Sequence, residues 1–364
     1  MKKVSFARRY QWVERNPDQD GCVPLPLVYK LMLTFKCNLK CKVCMLWGEK
    51  GWCKDIPAAT ASEDLDWDIV KNLIEEHTKQ RPSFILTGGE PLLYQRFPDL
   101  AALLKRKRLF ATICTNGLLI EKHQKAIEDN HYLIWLLSLD GNQEINDRLR
   151  GGGVYERVVK NIHLLKSFRK SPYVGVQFTI QPENVSIMYD FCKDMVRLGV
   201  DWVLLNPRWF VSDEQAAAYK VEMRAFFSMN SRTQEGYQFP VDIDQKEFVR
   251  QLNKIRDEKW PIQISSYLQE PEDIYPYMNA PAKPIRNRLC YKQWLRFDVL
   301  PSGEVTPCIQ FPDLILGSLK KSDLATIWNS SAYENFRKKI RKAPLSVCSK
   351  CNNLYLYDAK RASL

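Results

Sequence analysis

From about residue 29 to residue 207 the chain repeats one pattern, a short apolar run followed by an amphipathic stretch, and this alternation constrains the fold more than any other feature. The apolar runs are 29–35, 83–86, 110–114, 133–138, 173–180 and 202–205. Their near-continuous apolar character fits strands buried on both faces of a parallel sheet. Between them, 66–78, 97–107, 121–129, 155–167 and 185–198 read as helices. In the last of these, Ile187, Phe191, Met195 and Leu198 recur every three or four residues, which makes one apolar face, and Gly199 follows where a left-handed cap belongs. Six strands alternating with helices predict an α/β fold with right-handed crossovers, an open or closed parallel barrel. In such folds the chemistry sits at the C-terminal ends of the strands, so each unusual motif should follow a strand.

The rest of the chain divides around this core of residues 29–207. Residues 1–28 form an N-terminal extension without a clear pattern. In 208–285 strand alternation stops; helices are expected at 213–227 and 245–257, and Pro and Tyr punctuate 271–284, so this segment reads as a helical connector. Residues 286–364 carry a hairpin signal, a run at 294–300, the turn Pro301-Ser302-Gly303-Glu304 and a second run at 305–309. Four cysteines in so small a unit suggest a metal-stapled module. The chain has no internal repeat and no low-complexity segment.

The longest mainly apolar stretch, 132–139, has eight residues, far from the roughly 20 that a membrane helix requires. The start, Met1-Lys2-Lys3-Val4, lacks a hydrophobic signal core, and a cytoplasmic location is expected. Lys and Arg number 54 against 42 Asp and Glu, a net charge of +12. That excess is compatible with nucleic acid, anionic lipid or an acidic substrate and identifies none of them. The basic clusters, Lys105-Arg106-Lys107-Arg108 and Arg337-Lys338-Lys339 with Arg341-Lys342, fall on expected helices or helix ends, where a solvated face is the expected role. No basic tract is interleaved with aromatics to stack single strands, which disfavours nucleic acid.

The eleven cysteines carry more information. Without a secretory signal, clustered thiols point to metal or redox chemistry rather than disulfides. Cys22, Cys53, Cys114 and Cys192 are scattered, and small buried hydrophobes are the default for such residues. The other seven form two groups. Cys37, Cys41 and Cys44 have the spacing C-x3-C-x2-C directly after the first strand. Three thiolates on one loop can hold one face of a 4Fe–4S cube, which normally takes four ligands, and they leave one iron open to a small molecule. Structural zinc usually takes thiols in pairs.

This loop resembles the signature of the radical S-adenosylmethionine (SAM) enzymes. The resemblance implies a partial (β/α)6 barrel in which the open iron is chelated by the amino and carboxylate groups of SAM. Reduction of the cluster then cleaves SAM homolytically, and the 5′-deoxyadenosyl radical abstracts a substrate hydrogen. Val43 stands where many members carry an aromatic residue bordering the adenine. Thr87-Gly88-Gly89-Glu90-Pro91 follows the second strand and resembles the family's GGE motif, in which the backbone and Glu90 hold the amino group of SAM. Two glycines let a backbone approach a ligand closely, and a carboxylate accepts from an ammonium. Thr115-Asn116-Gly117 follows the third strand, either shaping the turn beside the nucleoside, as in relatives, or serving only as an Asn-Gly turn. Ser138-Leu139-Asp140-Gly141 with Arg150 resembles the Ser-x-Asp-Gly…Arg pattern of SPASM-type members, where Ser138 and Arg150 would hold the ribose and the SAM carboxylate. Asp140 would orient that arginine or cap the next segment. Gln177, Thr179 and Asn206 interrupt apolar strands and either face the lumen or mark one polar strand face.

Cys290 and Cys308 flank the expected hairpin, and Cys348-Ser349-Lys350-Cys351 follows. Four thiolates complete one 4Fe–4S cluster, and a zinc ribbon uses the same pattern. Gly303 five residues before Cys308, then Gly317-Ser318-Leu319 and Ile327-Trp328, resembles the SPASM module of radical SAM enzymes. With thirteen residues after Cys351, the cysteine count matches its shortened, single-cluster version, Twitch. The expected protein is a radical SAM enzyme with one auxiliary 4Fe–4S cluster and an external one-electron donor such as flavodoxin or ferredoxin. A peptide or protein side chain is the first substrate expectation, although about 28 residues before the barrel are too few for the leader-binding domain of many peptide-modifying members. The length likewise leaves no room for a cobalamin domain. A dehydrogenase or isomerase of a small molecule (sugar, alcohol or lipid precursor) is second. A non-catalytic iron–sulfur or zinc regulator binding nucleic acid is third. No catalytic acid or base is assigned.

Overall fold

All six predicted strands form and lie side by side in chain order: β1 (Val28–Met32), β2 (Ser83–Thr87), β3 (Ala111–Thr115), β4 (Leu133–Ser138), β5 (Val174–Ile180) and β6 (Trp202–Pro207). Every neighbouring pair is parallel, with Leu31 opposite Leu86 and Ile113 opposite Trp135. The computed structural model describes residues 2–16, 22–42, 44–240, 242–268, 270–280, 289–352 and 354; Val43 lies outside these.

Successive residues of a strand point to opposite faces, and this period sorts the core from the cavity. Ile113, Trp135, Leu137, Val176, Phe178, Val203 and Leu205 are buried in the main core, beneath the helices. The intervening Cys114, Leu136, Ser138, Gln177, Thr179 and Asn206 line a cavity instead. Gln177, Thr179 and Asn206 are therefore lumen residues, and Cys114 departs from the expectation of a plain buried hydrophobe. Cys53 and Cys192 are buried as expected, and Cys22 is exposed.

The crossovers are helical: α2 (Trp67–Glu76), α3 (Phe97–Lys107), α4 (Gln143–Arg150), α5 (Val154–Ser167) and α6 (Met188–Arg197). Asp66 caps α2 by accepting from the Asp68 and Ile69 amides, which satisfies donors a helix start leaves open. The helix expected over 121–129 is two short pieces, Glu121–His123 and Gln124–Ile127. In the connector, α7 (Asp213–Phe227) and α8 (Gln245–Asp257) have the expected bounds.

The sheet is wider than the sequence reading. β7 (Gln263–Ser266) adds in parallel to β6, inside the segment expected to hold no strand. It was invisible because it is an edge strand with one apolar residue, Ile264, and no buried position to impose a pattern. At the other edge β8 (Arg296–Val299), the first arm of the expected hairpin, pairs in parallel with β1. β9 (Glu304–Thr306) and β10 (Gly317–Ser318) follow antiparallel. The C-terminal hairpin is thus hydrogen-bonded directly to the first core strand.

One basic cluster also departs from expectation. Arg337, on α9 (Ser331–Lys342), is buried, donates to the Gln293 and Trp328 carbonyls and lies over the Trp328 and Tyr333 rings. Its buried neighbours Tyr333, Phe336 and Ile340 on the same face decide the matter, since an amphipathic helix buries whatever stands on that stripe.

The N-terminal extension has a structural role. Its helix α1 (Lys2–Arg15) presents Arg9, whose guanidinium donates to the Pro24 and Trp294 carbonyls at 2.7 Å each and to Leu25 at 2.9 Å. Three carbonyls on the segments entering β1 and β8 are thereby tied to one side chain. Arg9→Met should lower stability by about 2–3 kcal/mol, because a group of similar length leaves buried acceptors open. The denaturant midpoint of the purified protein checks this; an unchanged midpoint would mean water satisfies those carbonyls.

Candidate active site

The loops at the C-terminal ends of β1 to β4 are fastened to one another before any ligand enters. After β2, the Gly89 amide donates to Thr34 O at 2.8 Å and the Glu90 amide to Lys36 O at 2.7 Å. A Cβ on Gly88, where φ is +154°, would lie 2.3 Å from Thr34 O, and one on Gly89 would lie 2.3 Å from Phe35 O and Lys36 O. Both glycines are therefore demanded by close approach to the segment that leads into the cysteine loop, not only by a ligand.

Glu90 is fully buried, and it braces the wall. One carboxylate oxygen accepts from Thr115 Oγ1 at 2.6 Å and the Leu92 amide at 3.0 Å; the other accepts from the Asn116 amide at 2.8 Å. Burial pushes this carboxyl up to about 7, while the three donors pull it down. Asn116 Nδ2 in turn donates to Asn38 Oδ1, inside the cysteine loop, at 2.8 Å. Asn116 is thus a tie between loops as well as a turn residue.

Asp140 accepts from Arg150 at 2.7 Å with one oxygen and from the Thr179 amide at 2.7 Å with the other. The cap of α4 is Asn142, which accepts from the Ile145 amide, so Asp140 orients the arginine rather than capping the segment. Burial works against the charge of Arg150, but Asp140 and Cys41 more than offset it and hold the guanidinium above its ordinary value.

These groups enclose a cavity of 340 Å³. Cys37, Cys41, Cys44, Gly89, Thr115, Asn116, Ser138, Asp140 and Arg150 all line it; Gly88 and Glu90 stand behind its wall. Burial pushes the Cys37 thiol up to about 12, with Glu90, Cys44 and Cys41 adding to the rise against one backbone donor at Leu39. Such thiols ionise only against a strong positive centre, which is what iron supplies.

The cavity has further walls that the sequence reading did not assign. Arg208 and Trp209 directly follow β6, and the strand-end rule applied one strand further would have found them. Tyr237 and Phe239 from the connector, and Gln310 and Asn352 from beside Cys308 and Cys351, have no local signal, because distant chain segments bring them in.

A second, small and almost wholly apolar cavity is lined by all four cysteines of the C-terminal group, Cys290, Cys308, Cys348 and Cys351. The thiols raise one another's pKa on top of burial, as at Cys348, so the four share one electrostatic site. Lys292 also lines it, buried and bonded at 3.0 Å to Asp298. Trp209 lines both cavities and packs against Tyr237 and Phe311 with ring centroids 5.3 and 5.1 Å away. Among the described residues no three His, Cys, Asp or Glu side chains are gathered closely enough to hold a single metal ion. A cube sets a wider thiolate spacing than one ion does, and three and four thiols at two cavities are the donor sets that an open and a complete cube require.

Comparison with known proteins agrees with this geometry. The family model of the radical SAM superfamily matches residues 31–195, and that of an iron–sulfur cluster-binding domain, SPASM, matches residues 290–352. The chain belongs to the radical SAM superfamily, as an enzyme with SAM, a SAM-binding 4Fe–4S cluster and an auxiliary iron–sulfur cluster as its cofactors. It is 32% identical over 156 residues to Fe-coproporphyrin III synthase of Methanosarcina barkeri, a match covering 42% of this chain and 37% of that protein. It is 25% identical to pre-heme d1 synthase of Dinoroseobacter shibae, covering 88% and 76%, and 23% identical to the antilisterial bacteriocin subtilosin biosynthesis protein AlbA of Bacillus subtilis, covering 84% and 60%. The chain thus spans less than two thirds of the first and third of these relatives. Streptococcus suis SuiB bound to its precursor peptide SuiA has the same fold, with a TM-score of 0.61 at 15% identity, covering 91% of this chain and 70% of SuiB. Among the described residues no helix is long and apolar enough to cross a membrane.

The buried carboxyl makes a pH prediction. Glu90 has a folded pKa of about 7 against 4.5 when solvated, so between these values the folded chain keeps a proton that the unfolded chain has released. Its contribution to stability therefore falls as pH rises through that window, by at most about 1.4 kcal/mol per pH unit, and levels off above it. Glu90→Gln should remove this slope. Denaturation of wild type and variant at pH 5, 6, 7 and 8 reads the difference; a constant difference would show the carboxylate ionised throughout.

Proposed function

We propose that the protein modifies a peptide or protein side chain by hydrogen abstraction, as a maturase. The observation that carries the reading is that Cys37, Cys41 and Cys44 share one cavity with Ser138, Asp140, Arg150 and Asn116 at the strand ends. When bound and reduced, the cluster on these cysteines supplies the electron that cleaves SAM to a 5′-deoxyadenosyl radical. The chain's residues position what is cleaved. Arg150, fixed by Asp140, offers its fork to the SAM carboxylate, and Ser138 faces the ribose. The Gly88-Gly89-Glu90 turn borders the amino group, with Glu90 acting through the bonds it holds to Thr115 and Asn116. Thr115 and Asn116 border the nucleoside. Cys290, Cys308, Cys348 and Cys351 hold the auxiliary 4Fe–4S cluster. A cytoplasmic flavodoxin or ferredoxin is the proposed electron donor.

The peptide reading is supported by the names of two relatives, a bacteriocin biosynthesis protein and an enzyme bound to a precursor peptide. A small-molecule substrate is the second reading, favoured by the names of the two relatives that make tetrapyrrole-type products.

After anaerobic reconstitution with a strong reductant, the wild type should release 5′-deoxyadenosine from SAM and Cys37→Ala should not. Cys348→Ala should keep uncoupled cleavage and lose about four irons. Deuterium passing from a labelled peptide into 5′-deoxyadenosine supports the first reading. Fully loaded protein that leaves SAM intact would overturn both.

A further inference from the structure

Two guanidinium groups line the 340 Å³ cavity, and only Arg150 is ion-paired; the exposed carboxylate of Glu183 acts on Arg208 from a distance and makes no ion pair with it. Arg150 is bonded to Asp140. Arg208 makes no ion pair or side-chain hydrogen bond among the described residues, and its Nε is buried without a partner. Its one contact of note is the Phe239 ring, 3.7 Å from the guanidinium carbon. Burial lowers its pKa only to about 10, so it is charged at neutral pH. A ring face returns about 1 kcal/mol to a cation, less than a desolvated charge forgoes. A half-buried cation that lines a chamber and keeps a buried N–H without a partner calls for an acceptor from outside the chain. The chamber's one lining carboxylate, Asp140, is committed to Arg150 and Thr179. The remaining polar groups near the β6 end, Asn206, Gln310 and Asn352, are neutral amides, and Asn352 Oδ1 is itself buried without a partner.

We propose that Arg208 docks a carboxylate of the substrate, an acidic side chain or chain terminus of a peptide. A planar fork fits a carboxylate with two parallel bonds, and one cation with no ion pair, among lining amides that are neutral, matches a single negative charge. A phosphate, which carries nearly two charges, calls for more cations than this wall supplies. Arg208 follows β6, whereas the arginine assigned to SAM ends the helix after β4, so the two guanidiniums divide the chamber between cofactor and substrate. The assignment of substrate as peptide rests on the function proposed above; the assignment of Arg208 to a carboxylate does not.

The test uses the full chain with both clusters reconstituted and SAM present. Binding of N-acetylglutamate amide, its neutral isostere N-acetylglutamine amide, and glutarate is followed by ligand-observed NMR. The glutamate compound should bind wild type about tenfold or more tightly than the glutamine compound. Arg208→Gln should erase that preference, Arg208→Lys should keep part of it, and SAM affinity should change little in either. Arg208→Lys also controls for folding, since it keeps the charge and most of the volume. Equal binding of the charged and neutral compounds to wild type, or an undiminished preference in Arg208→Gln, would overturn the proposal. So would failure of all three probes to bind wild type at concentrations of order 10 mM, or a loss of SAM affinity in Arg208→Gln as large as the loss of glutamate binding. Glutarate binding that depends on Arg208, with no binding of the peptide-like compounds, would uphold the carboxylate site and sink the peptide reading.

Discussion

A single buried carboxylate holds together the three loops on which the site depends. Glu90 lies behind the cavity wall, yet its acceptors reach Thr115 and the Asn116 amide on the β3 side. Through Asn116 the tie continues to Asn38, between the first and second cysteines. A loop carrying three thiols has little internal regularity, and the backbone bonds from Gly89 to Thr34 and from Glu90 to Lys36 give it a fixed base. Removing the carboxylate would leave three buried donors open, each costing about 1–3 kcal/mol. Preorganisation of this kind is what lets a cluster and its ligand be held at one geometry through a redox cycle.

How much was legible in the sequence follows from how local each signal is. The six parallel strands could be read because each is buried on both faces and therefore reads as an apolar run. The cysteine loop could be read because three ligands fall within eight residues. The role of Glu90 was only half legible. Its motif located it at the right strand end, but which groups its oxygens accept from depends on β3, more than twenty residues away. Asp140 left two readings open, because the sequence alone does not show that its carboxylate pairs with Arg150 while Asn142 supplies the cap of α4. β7 was missed because it is a half-buried, nearly polar edge strand, and the wall made by Tyr237, Phe239, Gln310 and Asn352 because no short window contains it.

Charge is arranged around the C-terminal thiols in the same non-local way. Lys30 on β1 stands opposite Asp298 on β8, and Asp298 also takes Arg296 at 2.7 Å and Lys292 at 3.0 Å. Asp298 is drawn down to about 2, since Arg296 and Lys292 outweigh the effect of its burial. One carboxylate among three cations leaves this buried layer net positive, next to a cavity lined by four thiols. Buried ion pairs are weak evidence for stability. With an iron–sulfur cluster on these four thiols, as proposed, the excess of positive charge would favour its more negative, reduced form.

The pairing of β8 with β1 then explains how two cysteine groups more than two hundred residues apart keep a fixed relation. Val28 stands opposite Arg296 and Leu31 opposite Val299, so the strand leading to Cys37 and the strand between Cys290 and Cys308 are locked in one hydrogen-bonded register. A flexible linker would let the two sites drift; a continuous sheet does not. Trp209, at the end of β6, closes the remaining gap from the opposite side by lining both cavities at once. The same loop places Arg208 on the chamber wall one residue earlier. On the docking proposed above, a substrate carboxylate held at Arg208 would lie one residue from the indole that lines both cavities.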